Sequence, residues 1–253
     1  PDEHTEFYRK HADSWRSIVG LGDDEVAEIV AEDRIDILVD LAGHTGHRLP
    51  LFARKPAPLQ VTWLGYPDTT GLAAIDYRFS DDIADPEGES DRFHAEKVCR
   101  LPGGFLCYTA PADAPEVVPL PSVSSGRITF GSFNNISKIT KEVVALWCDL
   151  LNRVPGSRPV IKNHSLDDRA TRSRYEALIG NQGIPLDRVE LRPWVKGTES
   201  HLAVYGEIDI ALDTFPYNGT TTTCEALWMG VPVVTMAGER HAGRVGASIL
   251  SRV

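Results

Sequence analysis

Apolar positions in this chain recur with two periods, one of a helix and one of a strand, and the two alternate along most of its length. Between residues 6 and 33 Phe7, Trp15, Ile18, Val26, Ile29 and Val30 fall at helical spacing, and Asp23 and Asp24 stand where short acids cap a helix start. The run IDILVDLAG at 35–43 predicts a short buried strand ending at glycine. A short helix at 51–54 stops at Pro56 and Pro58; a strand at 59–67 enters a Gly-Tyr-Pro turn, and another strand follows at 75–80. The acidic run DDIADPEGESD at 81–91 reads as a solvated loop.

Residues 109–126, TAPADAPEVVPLPSVSSG, are rich in Pro, Ala and Ser and show little amphipathic period. Such composition stays extended, which predicts a linker between domains at 1–108 and 127–253. The second half resumes with a strand at 128–133, a polar loop at 134–138 and a helix at 142–153 whose Val143, Leu146, Trp147, Leu150 and Leu151 share one face. A weak strand at 159–162, a helix at 169–180, a strand at 189–192 and a helix from His201 to 206 follow, the last capped by the preceding Thr-Glu-Ser. The remainder reads strand, loop, helix, strand, loop, helix. Strands alternating with helices predict an α/β protein built on parallel sheets.

The stretch at 209–235, DIALDTFPYNGTTTTCEALWMGVPVVT, carries the clearest chemistry. An apolar strand runs through a Pro-Asn-Gly loop into a helix that opens with four threonines. Free backbone N–H groups and hydroxyls at a helix start suit a phosphate. One threonine suffices for a cap, so a run of four exceeds the capping need, although a capped helix with solvated hydroxyls is the plain alternative. Lys138, in a strand-to-helix loop, is placed either for a phosphate or simply for solvent. Glu225 can serve a ribose diol, as acidic residues do in dinucleotide folds. His201 is a ligand contact or a surface residue, and Trp63 and Tyr66 are ligand-lining or core. His44 and Thr45 follow the first strand, where open α/β sheets place ligands. His44 and His47 lack a third ligand at useful spacing, so no metal site is expected. Cys224 reads as a helix core residue, with no basic neighbour to activate it.

Composition narrows the classes. The 253 residues suffice for one large domain or two medium ones, and 42% hydrophobic with 25% charged residues is ordinary for a globular protein. A net charge of −10 argues against general binding to a nucleic-acid backbone, which needs a positive surface. The four cysteines are scattered, which fits reduced thiols and a cytoplasmic setting. No apolar run reaches the roughly 18 residues of a membrane span. The chain opens at Pro1 and stops within a helical pattern, so it is expected to be a piece of a longer protein.

EALWMGVPVVT resembles the nucleotide-binding segment of GT-B glycosyltransferases in general. The longer LDTFPYNGTTTTCEALWMGVPVVTMAGERHAGRVGASIL, with FGSFNNISKIT and DILVDLAGHTGHRLPLFARKPAPLQVTWLGYPDTTGLAAIDYRFSD, is similar to the O-linked N-acetylglucosamine transferase and SPINDLY family. The resemblance implies two Rossmann-like domains of GT-B type, truncated at both ends, with tetratricopeptide repeats N-terminal to this chain. It implies an inverting, metal-independent transferase without cofactor, moving a sugar, N-acetylglucosamine from UDP-GlcNAc first, to Ser or Thr hydroxyls of proteins. A GDP-fucose-dependent transferase or a non-catalytic nucleotide-sugar module are the alternatives, with a sugar epimerase ranked below them. By resemblance Lys138 is the essential lysine on the diphosphate and Asn135 a neighbouring contact. Asn218, Gly219, Thr220, Thr221 and Thr222 form the phosphate loop, His201 packs on the base and ribose, and Glu225 takes the ribose. His44, Thr45, Trp63, Gly65, Tyr66 and Pro67 border the sugar and acceptor. Animal members carry a histidine where Thr220 stands, and a histidine-bearing motif is expected upstream of Pro1.

Overall fold

The computed structural model describes residues 2–253, which form two parallel sheets. Two helices, α1 (Glu3–His11) and α2 (Asp23–Glu32), precede the first sheet, which runs β1 (Ile37–Asp40), β2 (Leu59–Thr62), β3 (Tyr77–Ser80), β4 (Lys97–Arg100) in chain order. Ile37 faces Leu59, Val61 faces Tyr77, and Phe79 faces Cys99. A short helix, α3 (Leu49–Ala53), fills the first crossover that parallel pairing demands. Val26 of α2 meets Leu51, Phe52 and Ile75 in the core beneath this sheet.

The second sheet has the order β7-β6-β5-β8-β9. After α4 (Pro121–Ser125) come β5 (Thr129–Ser132), α5 (Lys141–Arg153), β6 (Arg158–Lys162), α6 (Arg169–Gly180), β7 (Glu190–Arg192), α7 (Thr198–Ala203), β8 (Ile210–Leu212), α8 (Thr221–Trp228), β9 (Val233–Val234) and α9 (Val245–Leu250). The chain winds outward from β5 to β7, then returns to the other side of β5. That reversal opens a crevice at the C-terminal ends of β5 and β8, where doubly wound sheets bind ligands. Helix α5 buries Val143, Val144, Trp147, Cys148 and Leu151 against Phe130, Ile161 and Leu212. Each such side chain contributes about 1.5–3 kcal/mol of hydrophobic stabilisation. A second cluster, with Phe133, Val160, Tyr205, Ile208 and Met229, includes residues of β6, α8's C-terminal cap and the turn after α7.

Several expectations change in three dimensions. Strand β1 is not buried: it is the edge of its sheet, and Ile37 and Val39 are exposed on one face while Leu38 packs inward. Asp23 and Asp24 do not cap α2. Gly22 holds that position, its N–H donating to Glu25 Oε2 at 2.7 Å, and the two aspartates pair with Arg48 and Arg54. Helix α7 begins at Thr198, and no side chain caps it. The stretch 109–126 is not extended throughout: it contains α4, whose Ser122 N–H donates to Asp209 Oδ1 at 2.8 Å, and Ala114 packs on the second sheet's core.

The acidic run departs furthest from its solvated reading. Asp81 and Asp85 are fully buried, because the segment 241–252 lies over them. Asp85 accepts from His94 Nε2 at 2.9 Å, His241 Nδ1 at 2.6 Å and the Ser80 hydroxyl. Asp81 accepts from the N–H of Ala84 and Phe105 and from the Ser248 hydroxyl. Arg244 donates to Ile83 O, and Arg252 pairs with Asp82 at 3.0 Å. Beside this polar joint, Ala84 and Phe105 meet Val245 and Ile249, so apolar contact also crosses between the halves. Burial alone would raise the Asp85 carboxyl, but the hydrogen bonds from His241, His94 and Ser80 outweigh it and hold it far below the usual carboxylate range. A depressed carboxyl contributes stability above its unfolded value near 4, and that contribution is lost as pH falls below it. Asp85→Ala should therefore lower unfolding stability at pH 7 by on the order of 3 kcal/mol, with a smaller difference below about pH 4. Denaturant titration at both pH values measures it, and an unchanged midpoint at pH 7 would contradict the role of this joint.

Candidate functional site

One cleft of about 440 Å³ opens between the halves, lined by Gly65 and Pro67 after β2, Cys107 and Tyr108 after β4, Lys138 after β5, and the threonines of α8. Every lining group lies beyond the C-terminal end of a parallel strand. The loop between β8 and α8 is built around Asp213. Its Oδ1 accepts the N–H of Gly219 at 2.6 Å and of Thr214 at 2.8 Å, and its Oδ2 accepts the Thr235 hydroxyl at 2.7 Å. Burial pushes the Asp213 carboxyl up, against the pull of these donors and of Lys138. Asn218, fully buried, donates to Thr214 O and accepts from Gly246 N–H. Gly219 is required by space: a Cβ there would lie 2.7–2.8 Å from Asn134 Oδ1 and the hydroxyls of Thr222 and Thr223.

The first intrahelical bond of α8 runs from Cys224 N to Thr220 O, so the amides of Thr221, Thr222 and Thr223 precede it. Thr220, Thr221 and Thr222 line the cleft, but the Thr222 hydroxyl is committed to Asn134 Oδ1 at 2.9 Å. Across from them Lys138 donates to Asn218 O at 2.8 Å and lies 3.8 Å from the Tyr217 ring centroid. Burial pushes Lys138 down to about 8, against the attraction of Asp213. Asn135 caps the turn that carries Lys138, accepting from Ser137 N–H. A cation, two hydroxyls without a partner among the described residues and the positive end of a helix thus face one space, an arrangement that can hold a diphosphate.

His201 and Glu225 meet each other beside this cleft rather than among its lining. His201 Nε2 lies 3.1 Å from Glu225 Oε2, and the Tyr205 hydroxyl donates to the same oxygen at 2.9 Å. Among the described residues Oε1 has no such partner. Burial, with Glu225 beside it, pushes the Tyr205 phenol well up, so it remains a donor. Behind His201, Lys162 donates to Nδ1 at 2.9 Å and to His201 O at 3.0 Å.

The remaining residues expected at the site divide. Gly65 and Pro67 line the cleft, and Gly65 has no room for a Cβ, which would lie 1.9 Å from Leu41 O. Trp63 instead packs with the residues that join the halves, and its Nε1 donates to Phe105 O at 2.9 Å. His44 donates to Thr70 O and lies against the Tyr66 ring, and Thr45 donates to Ala42 O, which ties all three to the first half's own loops. Among the described residues no group of three or more His, Cys, Asp or Glu is placed to hold a metal ion. The sequence pattern did not single out Asp213, Asn134, Tyr108, Lys162 or Tyr205. Asp213, Asn134 and Lys162 stand at or just after the ends of strands, the same criterion that picked His44; Tyr108 and Tyr205 carry no local signal.

The fold and cleft define a class: two parallel α/β halves facing across strand C-termini, as in GT-B glycosyltransferases. The chain belongs to glycosyl transferase family 41, whose pattern matches residues 1–109 and 120–253. It is 49% identical over 240 residues to a barley (Hordeum vulgare) protein named a probable UDP-N-acetylglucosamine–peptide N-acetylglucosaminyltransferase SPINDLY, covering 94% of this chain and 25% of that one. It is 30% identical to the Arabidopsis thaliana relative named SEC, over 98% of this chain and 26% of that one. Among solved structures, a mutant Thermobaculum terrenum O-GlcNAc transferase matches all of this chain at TM-score 0.93 and 43% identity, with 48% of its own length covered. The Anabaena HepE protein in complex with UDP and glucose shares the fold alone, at TM-score 0.52 and 11% identity. The chain spans about a quarter of the length of these curated relatives.

Asp213→Ala should release the loop that carries the start of α8 into the cleft. A loss of about 3 kcal/mol in unfolding stability is expected, together with faster hydrogen exchange at the Gly219 amide. Unaltered exchange at Gly219 would show that the loop holds its shape without Asp213.

Proposed function

We propose that this chain supplies the donor site of an inverting, metal-independent glycosyltransferase that moves N-acetylglucosamine from UDP-GlcNAc to Ser or Thr hydroxyls of proteins. The observation that carries the reading is the convergence of Lys138, Thr220, Thr221 and the start of α8 on one cleft at the β5/β8 crevice. In this reading residues 1–108 and 127–253 are the two lobes, joined through 109–126, with tetratricopeptide repeats and further acceptor-binding groups elsewhere in the full protein. The acceptor hydroxyl attacks the anomeric carbon in line with the departing diphosphate. Negative charge grows on the diphosphate as that bond breaks, and Lys138, the threonine hydroxyls and the α8 amides stabilise it, the role a cation fills elsewhere. Gly65 and Pro67, on the opposite wall, border the sugar and acceptor. The curated relatives named above as peptide N-acetylglucosaminyltransferases support the substrate pair.

Mass spectrometry of sugar transfer, using the full protein with UDP-GlcNAc, GDP-fucose and other donors, tests this directly. N-acetylglucosamine on Ser or Thr is expected. Transfer from GDP-fucose alone would reassign the donor, and nucleotide binding without transfer from any donor would overturn the enzyme reading. The lysine gives a second expectation. Lys138→Met should weaken UDP binding by about 1.5–3 kcal/mol. A diphosphate selects the charged ammonium, so affinity in the unsubstituted protein should fall as pH rises through about 8, and the variant should lose most of that slope. Calorimetry between pH 6.5 and 9.5 checks both.

A further inference from the structure

Lys162 is an unusual occupant of β6. It is 2% exposed, and its neighbours Val160 and Ile161 in the strand are buried hydrocarbons. Its ammonium meets His201 Nδ1, His201 O and the face of Phe133 at 4.4 Å, none of them a carboxylate. Glu225 and Glu207 attract it from farther off without touching it; taking an ammonium out of water with no carboxylate in contact is costly, and a Met or Leu would fill the same space without that penalty. Burial pushes the group down to about 8. Lys162 does not line the cleft, so it acts through what it touches.

An ammonium only donates. Nδ1 of His201 must therefore accept, which leaves the ring proton on Nε2, aimed at Glu225 Oε2. Tyr205 donates to the same oxygen, so both protein bonds fall on Oε2. We propose that Lys162 is a positioning residue of the donor site: it fixes the tautomer and orientation of His201, which in turn presents Glu225 Oε1 to a hydroxyl of the nucleotide's sugar. The inference rests on reading the cleft as a nucleotide-sugar site.

A double-mutant cycle on UDP affinity separates positioning from mere support. Lys162→Met should weaken UDP binding about tenfold in the unsubstituted background and less than twofold in a His201→Ala background, because the path runs through His201. Equal losses in the two backgrounds, or no loss in either, would overturn the proposal. The 15N spectrum of the histidine side chains provides a measurement that needs no substitution at Lys162. His201 should carry its proton on Nε2, and a proton on Nδ1 would overturn the proposal equally. If the unsubstituted protein binds neither UDP nor GDP, the reading of the cleft fails, while the 15N spectrum still decides whether Lys162 sets the ring.

Discussion

The cleft exists because two buried aspartates of the first half are covered by the 241–252 segment of the second. Asp85, between His94 and His241, and Asp81, under Ser248, take up donors from both halves at once. A buried carboxylate tolerates few geometries, since each lost donor exposes an unsatisfied charge to a medium that cannot hydrate it. The neighbouring contact of Ala84 and Phe105 with Val245 and Ile249 is less directional and adds hydrophobic burial to the same joint. Together they fix the distance between the walls that carry Gly65 and Lys138.

Within the second half a similar device sets the loop before α8. Asp213 gathers two amides and a hydroxyl from β8's end, the loop and the residue after β9, and so aims the start of α8 at the cleft. Lys138 is held by Asn218 O, a carbonyl of that same loop. Cation and helix terminus are therefore positioned by one set of bonds, which preorganises the charges before any ligand arrives. The lysines differ in what burial does for them. Lys138 borders the open space of the cleft, whereas Lys162 is sealed behind His201.

The alternation of strands and helices is written in local pattern, because hydrophobic period and turn residues act over a few positions, and the linker expected at 109–126 and the phosphate reading of 209–235 rest on the same kind of signal. Lys138 and the threonines were legible for the same reason: each sits in a loop whose composition marks it. Trp63 shows the limit. An aromatic after a strand fits a ligand wall or a core equally well, and only its bond to Phe105 O places it in the joint between the halves. The acidic run shows it more sharply, since its composition describes a solvated loop in any isolated segment.

What the sequence determined by itself was the α/β class, the phosphate-suited helix start and the set of polar groups available to it. What only the tertiary structure decided was which of those groups face one another. Asp85 meets His241 across 156 positions of chain, Lys162 reaches His201 across 39, and Glu225 meets both His201 and Tyr205. Such contacts leave no trace in local periodicity, because the free energy that makes a buried charge tolerable comes from partners distant in sequence.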